Sequence, residues 1–321
     1  MKYFTVDNLA LSSLIDASFR KIDDQLKRND LERYSLLLIG SFSRGEASWH
    51  KIENRIILLS DIEFYFIYEN SVNTKIIYDI IKSCLLDNLN DYTSAFFHID
   101  VSFIPLQKVS KLQKRLINYE AKKFGYVVSG LDYKGRFPDI DVKSINKLDI
   151  QNIIFHRAFS HYYYCSSRHD VSEIEKLYSL SKNALDLINI VLIDQKVLLP
   201  GVAQRLKYFL ANHNYFNDFY YTCSKIKFDD DFSIISYNQA LSNYVLLLED
   251  IYFRYIKKRT LFSLRSYLGV IKRICVTKKL PLSRKKTLFL LTNAIKSDCK
   301  SEYHNQLLIS QYISFGFKDN S

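Results

Sequence analysis

Tyr34-Ser35-Leu36-Leu37-Leu38-Ile39-Gly40-Ser41-Phe42-Ser43-Arg44-Gly45-Glu46, followed by Ser60-Asp61-Ile62-Glu63-Phe64-Tyr65-Phe66, decides how this chain is read. Residues 34–39 are an apolar run of strand length that stops at Gly40-Ser41. In the second segment, side chains two apart share a strand face. Asp61 and Glu63 therefore project together, while Ile62, Phe64 and Phe66 enter a core. A third acid lies in Phe97-His98-Ile99-Asp100-Val101-Ser102-Phe103, where His98, Asp100 and Ser102 point one way and Ile99 and Val101 the other. Carboxylates forced side by side repel and raise each other's pKa unless a cation neutralises them. Three of them on adjacent strands suit a pair of Mg²⁺ ions about 4 Å apart, the clamp of an in-line phosphoryl displacement.

Upstream residues agree with this chemistry. Gly40 lets backbone N–H groups approach a triphosphate closely, and Ser41 adds a hydroxyl. Ser43 and Arg44 follow, the latter a guanidinium with fixed geometry for phosphate oxygens. The set from Gly40 to Glu46, with Ser60-Asp61-Ile62-Glu63 and Asp100, resembles the nucleotidyltransferase superfamily typified by DNA polymerase beta. Within it, the chain is most similar to the small-acceptor branch that includes kanamycin nucleotidyltransferase and the minimal nucleotidyltransferases. The likeness covers about the first third of the chain.

The resemblance implies an α+β N-terminal nucleotidyltransferase domain, a small mixed sheet with helices, followed by an all-α helical domain. It implies catalytic and metal-binding roles for Asp61, Glu63 and Asp100, and nucleotide contacts from Gly40, Ser41, Ser43 and Arg44. It further implies two Mg²⁺ ions, an NTP co-substrate, and transfer of a nucleoside monophosphate to a hydroxyl of a small acceptor. The segment Gly125-Tyr126-Val127-Val128-Ser129-Gly130-Leu131-Asp132, leading through Pro138 towards His156-Arg157, is similar to a connector in nucleotidyltransferases encoded among surface-polysaccharide genes. That implies a sugar-related acceptor. One departure from the family pattern is the long spacing of 19 residues between Ser41 and Asp61, so residues 49–56 are expected to form an added loop or lengthened turn.

Composition sets the outer bounds. With 321 residues, 24 Tyr and 22 Phe, the chain can bury cores for two domains and is not a solvated tail. No apolar run is long enough to cross a membrane, and the first residues lack a signal-peptide pattern, so a cytoplasmic location is expected. The five cysteines form no Cys-x-x-Cys pair and are expected to be reduced. Charge is uneven: residues 251–321 hold 15 Lys and Arg against 3 Asp and Glu. The run 254–286 contains no acid and is interleaved with aromatics, which suits a polyanion such as RNA or a phosphorylated glycan. That run motivates an alternative, RNA- or protein-directed nucleotidyl transfer. A third reading is a nucleotide-binding module without turnover.

Periodicity predicts a helix over 6–30, a strand over 34–39, a helix over 43–50 and a long strand over 56–68 with Asp61 and Glu63 in its middle. A helix over 73–89 and a strand over 96–104, ended by Pro105, follow. Turn residues concentrate between Gly125 and Ile145, and 126–148 is expected as a connector between a catalytic domain, 1–125, and a helical domain, 149–321. In the latter, 182–199 reads as a buried helix. His98 reads as a hydrogen-bonded structural histidine before a partner role near the metals, Tyr162-Tyr163-Tyr164 beside His161 as core packing before base stacking, and Glu46 as a helix-start carboxylate. Glu173 and Glu175 are weighed as acceptor-activating bases and not chosen.

Overall fold

The computed structural model describes residues 2–29, 31, 33–52, 55–94, 97–145, 153, 157, 171–251, 254 and 255. Its first part runs α1 (Leu9–Lys27), β1 (Tyr34–Ile39), α2 (Gly40–Ser43), β2 (Trp49–Ile52), β3 (Arg55–Leu58) and β4 (Ile62–Tyr68). It continues through α3 (Thr74–Leu89), β5 (Ile99–Pro105), α4 (Leu106–Val109), α5 (Leu116–Phe124) and β6 (Tyr126–Gly130). The later described part is helical: α6 (Glu173–Asp194), α7 (Val202–Asn212), α8 (Asn217–Phe228) and α9 (Tyr237–Ile251).

Strand β1 is buried along its whole length because it is an inner strand of a four-stranded sheet ordered β5-β4-β1-β6. β4 and β6 run antiparallel to β1 and β5 runs parallel to β4, so the sheet is mixed. Alternation divides its side chains between two cores. Leu36, Leu38, Ile62, Phe64, Phe66 and Ile99 pack on the back face against α1 and α3. Leu37, Ile39, Tyr65, Ile67 and Ile104 face forward, against Leu106, Val109, Ala121 and Phe137. α1 forms because Leu11, Ile15, Phe19, Ile22 and Leu26 recur at helical spacing, and Asn8 caps its start by accepting from the Leu11 N–H. In the helical part, α6 is buried among α7, α8 and α9 through residues such as Leu180, Ala184, Leu187, Ile188 and Val191.

Three expected elements differ. The strand predicted over 56–68 is two strands, with Asp61 in the break. Ser60 Oγ accepts the Ser48 N–H at 2.9 Å and bonds the Tyr178 hydroxyl at 2.8 Å, which draws this segment off the ladder. The helix predicted over 43–50 stops at Ser43, since Gly45 adopts φ +70° and residues 49–52 pair with β3 as a hairpin. The hairpin is the added segment foreseen between Ser41 and Asp61. Finally, the connector contains β6, which completes the sheet; flanking glycines at 125 and 130 made this stretch look like turns.

Glu175 forms a capping box with Ser172, and Glu173 accepts from the Tyr237 N–H, so neither is presented as a base. Tyr162, Tyr163, Tyr164, His161 and nearly all of the basic run 254–286 lie outside the described residues. Of that run, Arg254 is paired with Asp250 at 2.7 Å. Cys84 and Cys223 are free, buried thiols. No described helix is long and apolar enough to cross a membrane.

The sheet and the helical part are joined by buried charges. Glu46 Oε2 accepts from Arg44 Nε at 2.7 Å, and its Oε1 accepts from the Val202 N–H at 2.6 Å, at the start of α7. Glu120 of α5 takes Arg44 on one oxygen at 2.7 Å and Arg205 of α7 on the other at 2.8 Å. Removing one member leaves its partners charged and dry. Glu46→Ala is expected to cost roughly 3–5 kcal/mol of stability. Loss of the exposed Lys27–Asp23 pair in Lys27→Ala should cost far less than that. Urea unfolding of the two variants measures the contrast.

Candidate active site

The site begins where β1 ends. Ile39 is the register partner of Glu63, and the chain then turns at Gly40 with φ +72°. The positive φ favours glycine, and a Cβ on Gly40 would overlap Glu63 Oε2 and force that carboxylate to shift. Ser43 Oγ donates to the Gly40 carbonyl at 3.0 Å and closes the single turn of α2. Ser41 is half-buried beside it. Arg44 is not presented to a ligand: Glu46 and Glu120 hold both edges of its guanidinium. Burial opposes its charge, but these two carboxylates outweigh burial and push its pKa up.

The acids gather on the front face. Parallel pairing of β4 and β5 sets Glu63 beside Asp100. Asp61 stands two residues before Glu63, just ahead of β4. Its Oδ1 lies 2.8 Å from His98 Nδ1, and its Oδ2 accepts from Lys182 Nζ at 3.0 Å. The other ring nitrogen of His98 lies 3.0 Å from Asp100 Oδ2. His98 therefore bridges the two aspartates. Lys182 was missed, because it comes from α6 and is distant in sequence. Its one local signal was a lysine at the edge of a run expected to be a buried helix. On α6 it lies one turn from Tyr178 and one turn from Asp186, which pairs with Arg157 at 2.8 Å.

Electrostatics follow from these contacts. Burial pushes the Asp61 carboxyl up, but Lys182 and His98 hold it below the usual range. Glu63 goes the other way: burial raises it, and Asp61 and Asp100 add to the rise against the opposing pull of Lys182. Burial lowers His98, yet hydrogen bonds to Asp100 and Asp61 carry it up to about 11. Lys182 is likewise raised, by Asp61 against burial.

Three carboxylates on one face supply the hard oxygen donors that Mg²⁺ prefers. Glu63, raised by burial and by two acidic neighbours, is the group a cation would relieve. Among the described residues no three His, Cys, Asp or Glu side chains stand ready around one ion, and both Asp61 oxygens are engaged. The donor set fits a divalent ion in its chemistry, with His98 and Lys182 supplying positive charge at the same place.

Because folding raises the Glu63 pKa, the stability it contributes is present below its ordinary pKa and lost as pH rises through the raised one. Glu63→Gln removes that loss. In metal-free protein, the melting temperature of Glu63→Gln should gain on the parent as pH rises above the ordinary glutamate pKa. Parallel pH curves for the two proteins would contradict the assignment.

No protein-family model matches the chain, and no curated protein sequence matches it. Among solved structures, the chain is similar to the crystal structure of spectinomycin adenyltransferase AAD(9) from Enterococcus faecialis with ATP and spectinomycin. Identity is 12%, the match covers 74% of this chain and 98% of that one, and the TM-score is 0.43. A likeness of this size assigns neither activity nor substrate, and the functional reading stands on the residues of the site.

Proposed function

We propose that this chain is a metal-dependent nucleotidyltransferase that moves a nucleoside monophosphate from an NTP to a hydroxyl of a small acceptor. One observation carries the reading: a glycine turn pressed against Glu63, which stands in register with Asp100, with Asp61 just ahead of the same strand. A bare-backbone turn beside acids that call for cations suits the phosphate oxygens of an NTP.

Asp61, Glu63 and Asp100 would hold two Mg²⁺ ions. The ions would supply charge neutralisation at the phosphates and a lowered pKa for the acceptor hydroxyl. Gly40 and Ser41 orient the triphosphate through backbone N–H groups and a hydroxyl. Ser43 keeps that turn closed, and Arg44 supports it from behind through Glu46 and Glu120. Lys182 brings a cation from α6 to the opposite wall. Asp100 has the most exposed carboxylate of the three, 59% accessible against 14% for Asp61, which suits contact with an incoming acceptor. In the transfer, the acceptor oxygen bonds to the α-phosphorus and the bond to pyrophosphate breaks. The hydroxyl proton goes to Asp100.

Cys84 and Cys223, free and buried, suit a reducing compartment such as the cytoplasm. A sugar-related acceptor remains part of this proposal on the likeness of the segment 125–132. The reading built on the basic run 254–286 has no described surface to rest on beyond Arg254 and Tyr255.

Calorimetric titration with ATP and Mg²⁺ tests the proposal. The parent should bind the pair, and Asp61→Ala and Asp100→Asn should each lose about tenfold or more in affinity. Pyrophosphate release with candidate acceptors should disappear in Asp61→Ala. Equal nucleotide binding in parent and variants would sink the reading.

A further inference from the structure

A cavity of about 370 Å³ opens between α1 and the edge strand β6, lined by Asp23 and Lys27 of α1, Tyr34 of β1 and residues 127–131. It lies at the Tyr34 end of β1, whereas the glycine turn and the acids lie at the Ile39 end, about 17 Å away along the strand. A β-bulge shapes it. Leu36 pairs with Ser129 and Leu37 with Val127, which leaves Val128 as the extra residue. Val127 packs into the front core and Val128 against the back one. Plain alternation would return Ser129 to the front. The bulge turns it to the back instead, where its Oγ donates to Asp23 Oδ1 at 2.6 Å and bonds the Tyr34 hydroxyl at 2.7 Å. Bulges recur next to active sites because they re-aim a side chain in this way.

Ser129 gives its proton to Asp23, so Tyr34 donates to Ser129. The other Asp23 oxygen takes Lys27 at 2.7 Å. Burial pushes the Asp23 carboxyl up, but Lys27 and Ser129 hold it below the usual range, so it is ionised at neutral pH and only accepts. Bonding capacity is left at the mouth of the cavity: each carboxylate oxygen keeps a second lone pair, and the Lys27 ammonium keeps further donors. As a unit the pair is neutral. A charged ligand would be drawn by one member and repelled by the other. A hydroxyl both donates and accepts, so two adjacent hydroxyls can bond Asp23 and Lys27 together without parting them. The exposed Leu131 and the half-buried Val128 offer an apolar wall to the C–H face of such a molecule. The geometry points to this cavity as a second ligand site, which takes a neutral molecule with vicinal hydroxyls, the chemistry of a sugar or polyol. It stands apart from the candidate active site and does not rest on the nucleotidyl-transfer reading.

The test is methyl NMR of the full chain, labelled at valine and leucine, for the parent, Asp23→Asn, Lys27→Ala and Asp61→Ala. Each is titrated with myo-inositol, D-glucose, cyclohexanol and glycine, without nucleotide. A polyol should shift the Val128 and Leu131 methyl signals of the parent, and cyclohexanol and glycine should not. Asp23→Asn should weaken polyol binding about tenfold. Lys27→Ala, an exposed substitution that leaves both cores untouched, should weaken it severalfold. Asp61→Ala should bind the polyol as the parent does. No shift at these methyls with either polyol would overturn the inference, as would cyclohexanol or glycine binding as well as the polyols. Polyol binding lost in Asp61→Ala and kept in Asp23→Asn would move the molecule to the candidate active site and overturn it too. Failure of nucleotide binding, which would sink the nucleotidyl-transfer reading, leaves these outcomes unchanged.

Discussion

Like-charge repulsion among three carboxylates on one sheet face is the constraint around which the described structure is arranged. The parallel β4–β5 register leaves Glu63 and Asp100 no choice but to stand side by side. Two devices bear the strain. His98 and Lys182 bring positive charge to Asp61, and Glu63 gives way by favouring its protonated form. Gly40 packs its bare backbone against the same glutamate, so the turn after β1 is positioned by that acid.

The helical part does more than flank the sheet. From α6, Tyr178 grips Ser60 and Lys182 grips Asp61, so two side chains one helical turn apart hold two consecutive residues of the break before β4. The β2–β3 hairpin reaches the same part: His50 Nδ1 lies 2.5 Å from Asp230 Oδ1, its ring packs on Phe232, and Ser48 Oγ donates to the Lys227 carbonyl. Glu46 completes the join by placing a carboxylate at the N-terminus of α7, where two backbone N–H groups and the helix dipole favour it. The extra residues between Ser41 and Asp61 are therefore a structural tie. This ties the position of Asp61 to the packing of helices more than a hundred residues away in sequence.

Buried ion pairs contribute less to net stability than their number suggests, because desolvation offsets much of the attraction. Arg44 illustrates the other use of such pairs. With Glu46 on one edge and Glu120 on the other, its geometry is fixed, and Arg205 does the same for α7 through the second Glu120 oxygen. The four residues specify one relative placement of α2, α5 and α7, which is the wall and floor of the candidate site.

By itself the sequence determined the elements whose signal is local. Alternation around Ile62, Phe64 and Phe66 marked β4, helical spacing marked α1 and α3, and the shared face of Glu63 and Asp100 agrees with strand period. Partners supplied from a distance were decided only by the tertiary structure. The ring of His98 reads the same in sequence whether it faces solvent, a carbonyl or two carboxylates. Lys182 and Tyr178 reach Asp61 and Ser60 because α6 packs there, and Arg44 meets Glu120 because α5 crosses the front face. The break at Ser60 and the strand hidden between Gly125 and Gly130 were illegible for the same reason. Backbone conformation at such points is set by long-range hydrogen bonds and sheet pairing, which leave no periodic trace in the residues that receive them.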